Sequence, residues 1–225
     1  MRFWLAVSIW LTGAVAAPGG PWPREKGAGF VALTSDGVQH QLYAEYGIGN
    51  DWTLGLEVKQ HKEDMLPAIL SFVQHPVWRG NSAILSAGVG VEQRETLAAR
   101  PWPHLAGLPE LAIRGGLFWG RGFQGRWGSG WMTLETQVER VITEDWFGAS
   151  QSLKVDASIG LKPSDRIMIL LQAQGWKRQN SPMKLRIEPM AGIRLGRVQF
   201  VAAPSVEVLD HEPDPRLKLG VWFDF

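Results

Sequence analysis

The chain has 225 residues, a formal net charge of +1 and no cysteine. That is the length of one ordinary domain, and it leaves neither a disulfide framework nor a thiolate metal site. So balanced a charge lacks the basic patch or stripe of a nucleic-acid-binding protein, and no nucleic-acid partner, metal or cofactor is expected. Charged residues make up 20% of the sequence and mean hydropathy is −0.09. Such an average arises when apolar and polar residues alternate and cancel.

The first segment carries the features of an export signal. Arg2 supplies a positive start, Phe3 to Leu11 an apolar run, and Ala14-Val15-Ala16 a small-residue cleavage site. Cleavage after Ala16, with Ala14 and Ala16 as recognition residues, avoids placing Pro18 at the scissile bond. The apolar run is too short for a membrane-spanning helix, which needs about 20 residues. The expected division is a signal peptide over 1–16, a Pro/Gly-rich periplasmic lead over 17–27, and one domain over 28–225.

From Ala28 onward the chain shows period-2 alternation in segments of strand length, separated by turn signals. In the run Trp52 to Lys59, Trp52, Leu54, Leu56 and Val58 face one way and Thr53, Gly55, Glu57 and Lys59 the other. Leu153 to Leu161 and Leu217 to Phe225 read the same way. Twelve segments emerge: 28–34, 38–48, 52–60, 66–78, 82–92, 110–119, 127–141, 151–161, 166–177, 183–194, 197–208 and 216–225. The fourth, with Pro67 and Pro76, is ambiguous in its facing, and the first is short, so ten strands remain an alternative.

The connections alternate in length. Gly49-Asn50-Asp51, Arg79-Gly80-Asn81, Lys162 to Asp165 and the surroundings of Gly196 are tight, whereas 61–65, 93–109, 142–150, 178–182 and 209–215 are longer. Ser35-Asp36-Gly37 and the stretch 120–126 depart from the rule. Short turns on one side and long loops on the other mark a bacterial transmembrane barrel with an even strand count. The apolar faces, such as Ala83, Leu85, Ala87, Val89 and Val91, are small to medium aliphatic and would fill a barrel core poorly. Trp52, Trp78, Trp119, Trp127 and Phe225 stand near segment ends, as interfacial girdles do. The fold expected is an all-β, up-and-down antiparallel transmembrane barrel with its apolar faces against lipid.

The segment Lys218-Leu219-Gly220-Val221-Trp222-Phe223-Asp224-Phe225 resembles the β-signal of Gram-negative outer-membrane barrel proteins. Lys218, Gly220, Phe223 and Phe225 carry the resemblance. It implies location in the outer membrane, with lipid and lipopolysaccharide around the barrel. It also implies recognition by the barrel-assembly machinery and closure of the last strand on the first.

With the polar faces inward, segments two to seven present Glu45, Glu57, Glu92, Glu135 and Glu139, offset by Lys59 and Arg114. Segments eight to twelve present Lys154, Lys184, Arg186, Arg194 and Lys218, offset by Asp156, Glu188, Glu207 and Asp224. If the two arcs face each other across water, they line a narrow passive channel for small ionic or polar solutes. If they touch, they make a charge-filled structural barrel. A rim-located lipid-modifying hydrolase is a further alternative, with His61 beside Glu63 and Asp64, and His211 beside Asp210, Glu212 and Asp214, in long connections. No nucleophile motif stands beside either histidine, and no catalytic residue is assigned. The connection 93–109 contains Arg100, Trp102 and His104 between prolines, and is the candidate gate loop.

Overall fold

A computed structural model describes residues 20–62, 66–95, 109–142, 151–209 and 215–225. The signal segment with Ala14 and Ala16, the gate residues Arg100, Trp102 and His104, and the acidic neighbours of His61 and His211 lie outside the described residues.

Twelve antiparallel strands close into one barrel. They are β1 (Gly29–Ser35), β2 (Gln39–Gly49), β3 (Trp52–His61), β4 (Ala68–Arg79), β5 (Ala83–Glu95), β6 (Pro109–Gly125), β7 (Gly128–Val141), β8 (Gln151–Ser164), β9 (Ile167–Arg178), β10 (Lys184–Leu195), β11 (Val198–Glu207) and β12 (Arg216–Asp224). Each strand pairs with its sequence neighbours, and β1 closes on β12 from Phe30 opposite Asp224 to Ser35 opposite Leu219. Closure leaves no edge, so the ladders satisfy the backbone polar groups without water.

At one end all five connections are turns of two or three residues. Asn50 and Asp51 both adopt positive φ, 50° and 62°, as a two-residue hairpin turn with the right twist requires. The segment 120–126, which the sequence reads as a long connection, is strand up to Gly125. There Gly125 pairs with Gly128 across a turn of Arg126 and Trp127. Extending the strand removes one of the two departures from the alternation of short and long connections.

Two prolines explain irregularities in the wall. A register shift between Pro76 and Trp78 makes β4 bulge, which accommodates a residue without an N–H and resolves the ambiguous facing of this strand. Between β10 and β11 the ladder skips the rungs from Glu188 to Met190. The surrounding register would set Pro189 opposite Pro204 there, with no N–H on either side.

The aliphatic side chains point outward. Leu33, Leu54, Val89, Leu117, Leu134, Ile159, Leu171, Ile193 and Leu219 are all exposed, from strands on every side of the barrel. At the turn end Trp52, Trp78, Trp127, Phe223 and Phe225 are exposed as well, whereas Trp119 is only half-buried. A soluble barrel would have the opposite polarity. In lipid vesicles, Leu117→Arg should lower stability by about 2–4 kcal/mol, the cost of a cation at mid-wall. Denaturant unfolding of the vesicle-bound barrel measures it.

Candidate functional site: a stoppered lumen

The inward face is divided along the barrel axis. Near the turn end, Phe30, Ala32, Tyr43, Trp131, Met168, Leu170, Met190, Val201, Ala203 and Trp222 form a buried apolar cluster, with Trp22 and Phe72 packed against it. Phe30 is completely buried, edge-on to both Tyr43 and Trp222. The expected lumen is polar throughout; in the structure its turn-end half is packed like a protein core. Trp222 belongs to the polar-facing set of its strand by alternation, so its inward direction is no surprise. What alternation alone does not supply is its neighbours.

The lead completes this stopper. Residues 20–27 precede the barrel domain in sequence, yet they run inside it along the wall from β2 to β6. The Gly20 carbonyl accepts a bond from Gln74 Nε2 at 3.0 Å, and the Pro21 carbonyl one from Ser86 Oγ at 2.5 Å. Arg24 N donates to Thr53 Oγ1 at 2.9 Å, and Arg24 Nε to Glu45 Oε2 at 2.6 Å. Glu45, only 4% exposed, also accepts from the Tyr43 hydroxyl at 2.6 Å. Its partner is therefore the lead and not a neighbouring strand. The Arg24 guanidinium lies over the Phe30 ring, 4.8 Å from its centre. Gly47 and Gly120 leave the room: a Cβ on Gly47 would strike the Arg24 and Glu25 backbone, and one on Gly120 would strike Pro21 and Trp22.

Toward the long-connection end the lumen is charged. Glu57 bonds Lys59 at 2.9 Å and accepts from Gln41 Nε2 at 2.5 Å. Arg114 joins Glu57, Glu92 and Glu139, and Arg94 joins Glu110, Glu92 and Glu139. Lys154 meets Asp156 at 2.6 Å, and Lys218 places both Glu188 oxygens within 2.8 Å. Arg186 and Lys184 approach Glu207; at the opposite, turn end Arg194 approaches Asp224. Most of these charges are neutralised within their own arc, so the transverse field is weaker than the strand-by-strand tally suggests. Arg94 joins the network because β5 runs further into the 93–109 connection than the alternation reveals, and Glu110, at the start of the sixth segment, is not among the charges assigned to the lumen from sequence.

Between stopper and mouth lies a cavity of about 180 Å³. Of the charges assigned to the lumen, Glu57, Arg114, Glu135, Lys154, Asp156, Glu188 and Lys218 line it. The carboxamides of Gln41, Gln137, Gln172 and Gln174 face it too, along with Tyr43, Phe72, Phe118 and Trp222. These glutamines carry no charge to draw attention to them, but their strand parity matches that of the charged set. Nearer the mouth a second cavity of about 390 Å³ shares Arg114, Gln137 and Lys154 with the first, and adds Arg94, Glu139, Trp176, Arg178 and Lys184. Of the remaining assigned residues, Glu45 is locked to the lead, while Lys59, Arg186 and Arg194 sit in the ion pairs above.

A closed antiparallel barrel of twelve strands, apolar outside and polar in part inside, has the fold of porins. Among solved structures the chain is similar to the KdgM porin, with a TM-score of 0.58 and 10% identity over 88% of this chain and 99% of that one. It is likewise similar to the NanC porin, with a TM-score of 0.58 and 9% identity over 87% and 98%. Neither a protein-family model nor a curated protein matches the sequence.

The lead is held by one buried ion pair, by bonds to the Gly20 and Pro21 carbonyls, and by bonds from Arg24 N to Thr53 and from Gly27 N to the Gly47 carbonyl. Arg24→Ala should free it at a cost of about 3–5 kcal/mol, because Glu45 then keeps a buried charge without its cation. Gly120→Val should do the same by steric exclusion. Limited proteolysis of the folded barrel reads the release, with cleavage near Trp22 rising sharply in both variants.

Proposed function

We propose that the chain is an outer-membrane channel for small ionic or polar solutes, closed at rest by its own lead and apolar stopper. The carrying observation is the charged, carboxamide-lined cavity in a fold shared with two porins. The membrane assignment rests on the exposed aliphatic wall and the edgeless sheet, which is what a bilayer demands of a strand-built span. Lipid covers that wall, and lipopolysaccharide meets the long connections. The short turns then face the periplasm, so the lead closes the periplasmic side. On this reading the terminal strand, with Lys218, Gly220, Phe223 and Phe225, is the part the assembly machinery recognises.

The packed turn-end half favours a second reading, a filled structural barrel that passes nothing. The two part company in planar bilayers. If the lead is the closure, the intact chain conducts rarely, and deletion of residues 20–27 or Gly120→Val yields discrete conductance steps. A barrel that folds without its lead and still gives no steps is a structural one.

A further inference from the structure

The outer wall of a closed barrel is convex, and this one is dented where it closes. A hollow of about 800 Å³ on the outward face spans the β1–β12 seam, from Val58 and Gln60 on β3 to Ala191 and Ile193 on β10. The register lays two outward rungs across it. Nearer the turn end runs Val58, Leu42, Leu33, Val221, Phe200 and Ile193. Two residues toward the long connections runs Gln60, His40, Ser35, Leu219, Ala202 and Ala191. Leu42 and Val58 face outward yet are half-buried, sheltered by the sides of the hollow. Behind it the inward positions are small: a Cβ on Gly220 would strike Thr34, and one on Gly192 would strike Gln199. With so little bulk behind it, the sheet bends inward.

The two rungs differ in polarity. The first is wholly apolar, whereas the second sets Ser35, His40 and Gln60 beside a leucine and two alanines. The ladder continues past it, with Lys62 N donating to the Val38 carbonyl at 2.8 Å. Alternation places the exposed Lys62 on the outward side after Gln60. The hollow therefore passes from hydrocarbon to hydrogen-bonding groups and a cation within about 14 Å along β3. The rim is low here: β1, with seven residues, is the shortest strand, and Asp36 to Val38 is the shortest connection at that end. Among the described residues no carboxylate lines the hollow. The nearby Asp36 is engaged by the Val38 and Gln39 N–H groups and by Arg216.

We propose that this hollow is a lipid site. It holds one acyl chain of a phosphate-bearing membrane lipid along Phe200, Val221, Leu33 and Leu42, with the phosphate against His40 and Lys62. The order of polarity selects the occupant. A second copy of the barrel would bring an aliphatic wall, with nothing to answer Ser35, His40 and Lys62. Free phosphate would leave the apolar rung bare. A lipid supplies both parts in the right order, its chain at depth and its anionic head at the rim, where cations recognise head groups through charge-assisted hydrogen bonds. Ala191 and Ala202 leave the room for the chain. The inference rests on the membrane assignment of the outer wall and is independent of conduction.

The test is native mass spectrometry of the full-length barrel in detergent, titrated with phosphatidic acid, with diacylglycerol of the same chains, and with inorganic phosphate. One phosphatidic acid should bind per barrel, diacylglycerol at least ten-fold more weakly, and phosphate not measurably. Ala202→Trp and Ala191→Trp fill the hollow and should each weaken phosphatidic acid ten-fold or more. Lys62→Gln should weaken it three-fold or more, and Leu134→Trp, on the far side of the barrel, should bind as the wild type does. All four positions are exposed, so none of these changes should hinder folding, and gel mobility with and without heating verifies that. Wild-type affinity in Ala202→Trp and Ala191→Trp, equal binding of diacylglycerol, or a dimer formed without lipid would overturn the proposal. Flotation of the same protein with vesicles separates the two claims. Flotation without a specific adduct refutes the lipid site alone, and a folded barrel that joins no vesicle refutes the membrane assignment beneath it.

Discussion

Closure of β1 on β12 is the constraint from which the other features of this barrel follow. An open sheet with this outer wall would bring two unpaired edges into hydrocarbon, where each unsatisfied backbone group costs several kcal/mol. Once Phe30 stands opposite Asp224 and Ser35 opposite Leu219, no edge remains. Every strand then has one face for the outside and one for the lumen. The outward set can be wholly aliphatic because nothing polar is left for it to satisfy. The inward set must be filled, hydrated or paired, since a closed barrel offers its inner residues no other surface.

The lumen solves this in two ways along its axis. At the turn end, aromatic and thioether side chains from seven strands pack against one another, and the lead supplies Trp22 and the Arg24 cation that Glu45 requires. At the other end, guanidinium groups are shared among several carboxylates. Arg114 and Arg94 between them serve Glu57, Glu92, Glu110 and Glu139. Sharing lowers the desolvation cost per charge, because each buried carboxylate is met by more than one donor. The region between the two solutions is neither packed nor fully paired, and there the cavity occurs together with Glu135, which has no ion pair among the described residues.

Much of the wall was legible from alternation, because a strand in a barrel repeats the same two-sided choice along its whole length. The twelve segments fall on the twelve strands with ends displaced by a few residues. The largest displacement is in β6, where Arg121 to Gly125 carries too few apolar outward residues to extend the pattern by eye. The inward direction of Glu57, Glu135 or Lys218 follows from parity. Their partners do not, since an ion pair such as that of Arg114 with Glu57 joins strands that are not adjacent in sequence. The stopper was hidden for a related reason. Phe30, Trp131 and Trp222 are single aromatic residues in otherwise small or polar inward sets, and only the closed register gathers them. The lead was least legible of all. Its Pro and Gly residues show no periodicity, and the glycines that admit it, Gly47 and Gly120, belong to other strands.

The central claim is that lipid covers the aliphatic face and the polar face encloses the lumen. Because the chain has no cysteine, single cysteines can be introduced one at a time at neighbouring positions of one strand, as in Leu134→Cys, Glu135→Cys, Val138→Cys and Gln137→Cys of β7. A small, charged, membrane-impermeant thiol reagent applied to barrels in vesicles then reads the two faces. The account predicts labelling at 135 and 137, and protection at 134 and 138 that is lost on unfolding. Protection at 135 and 137 with ready labelling at 134 and 138 would contradict it.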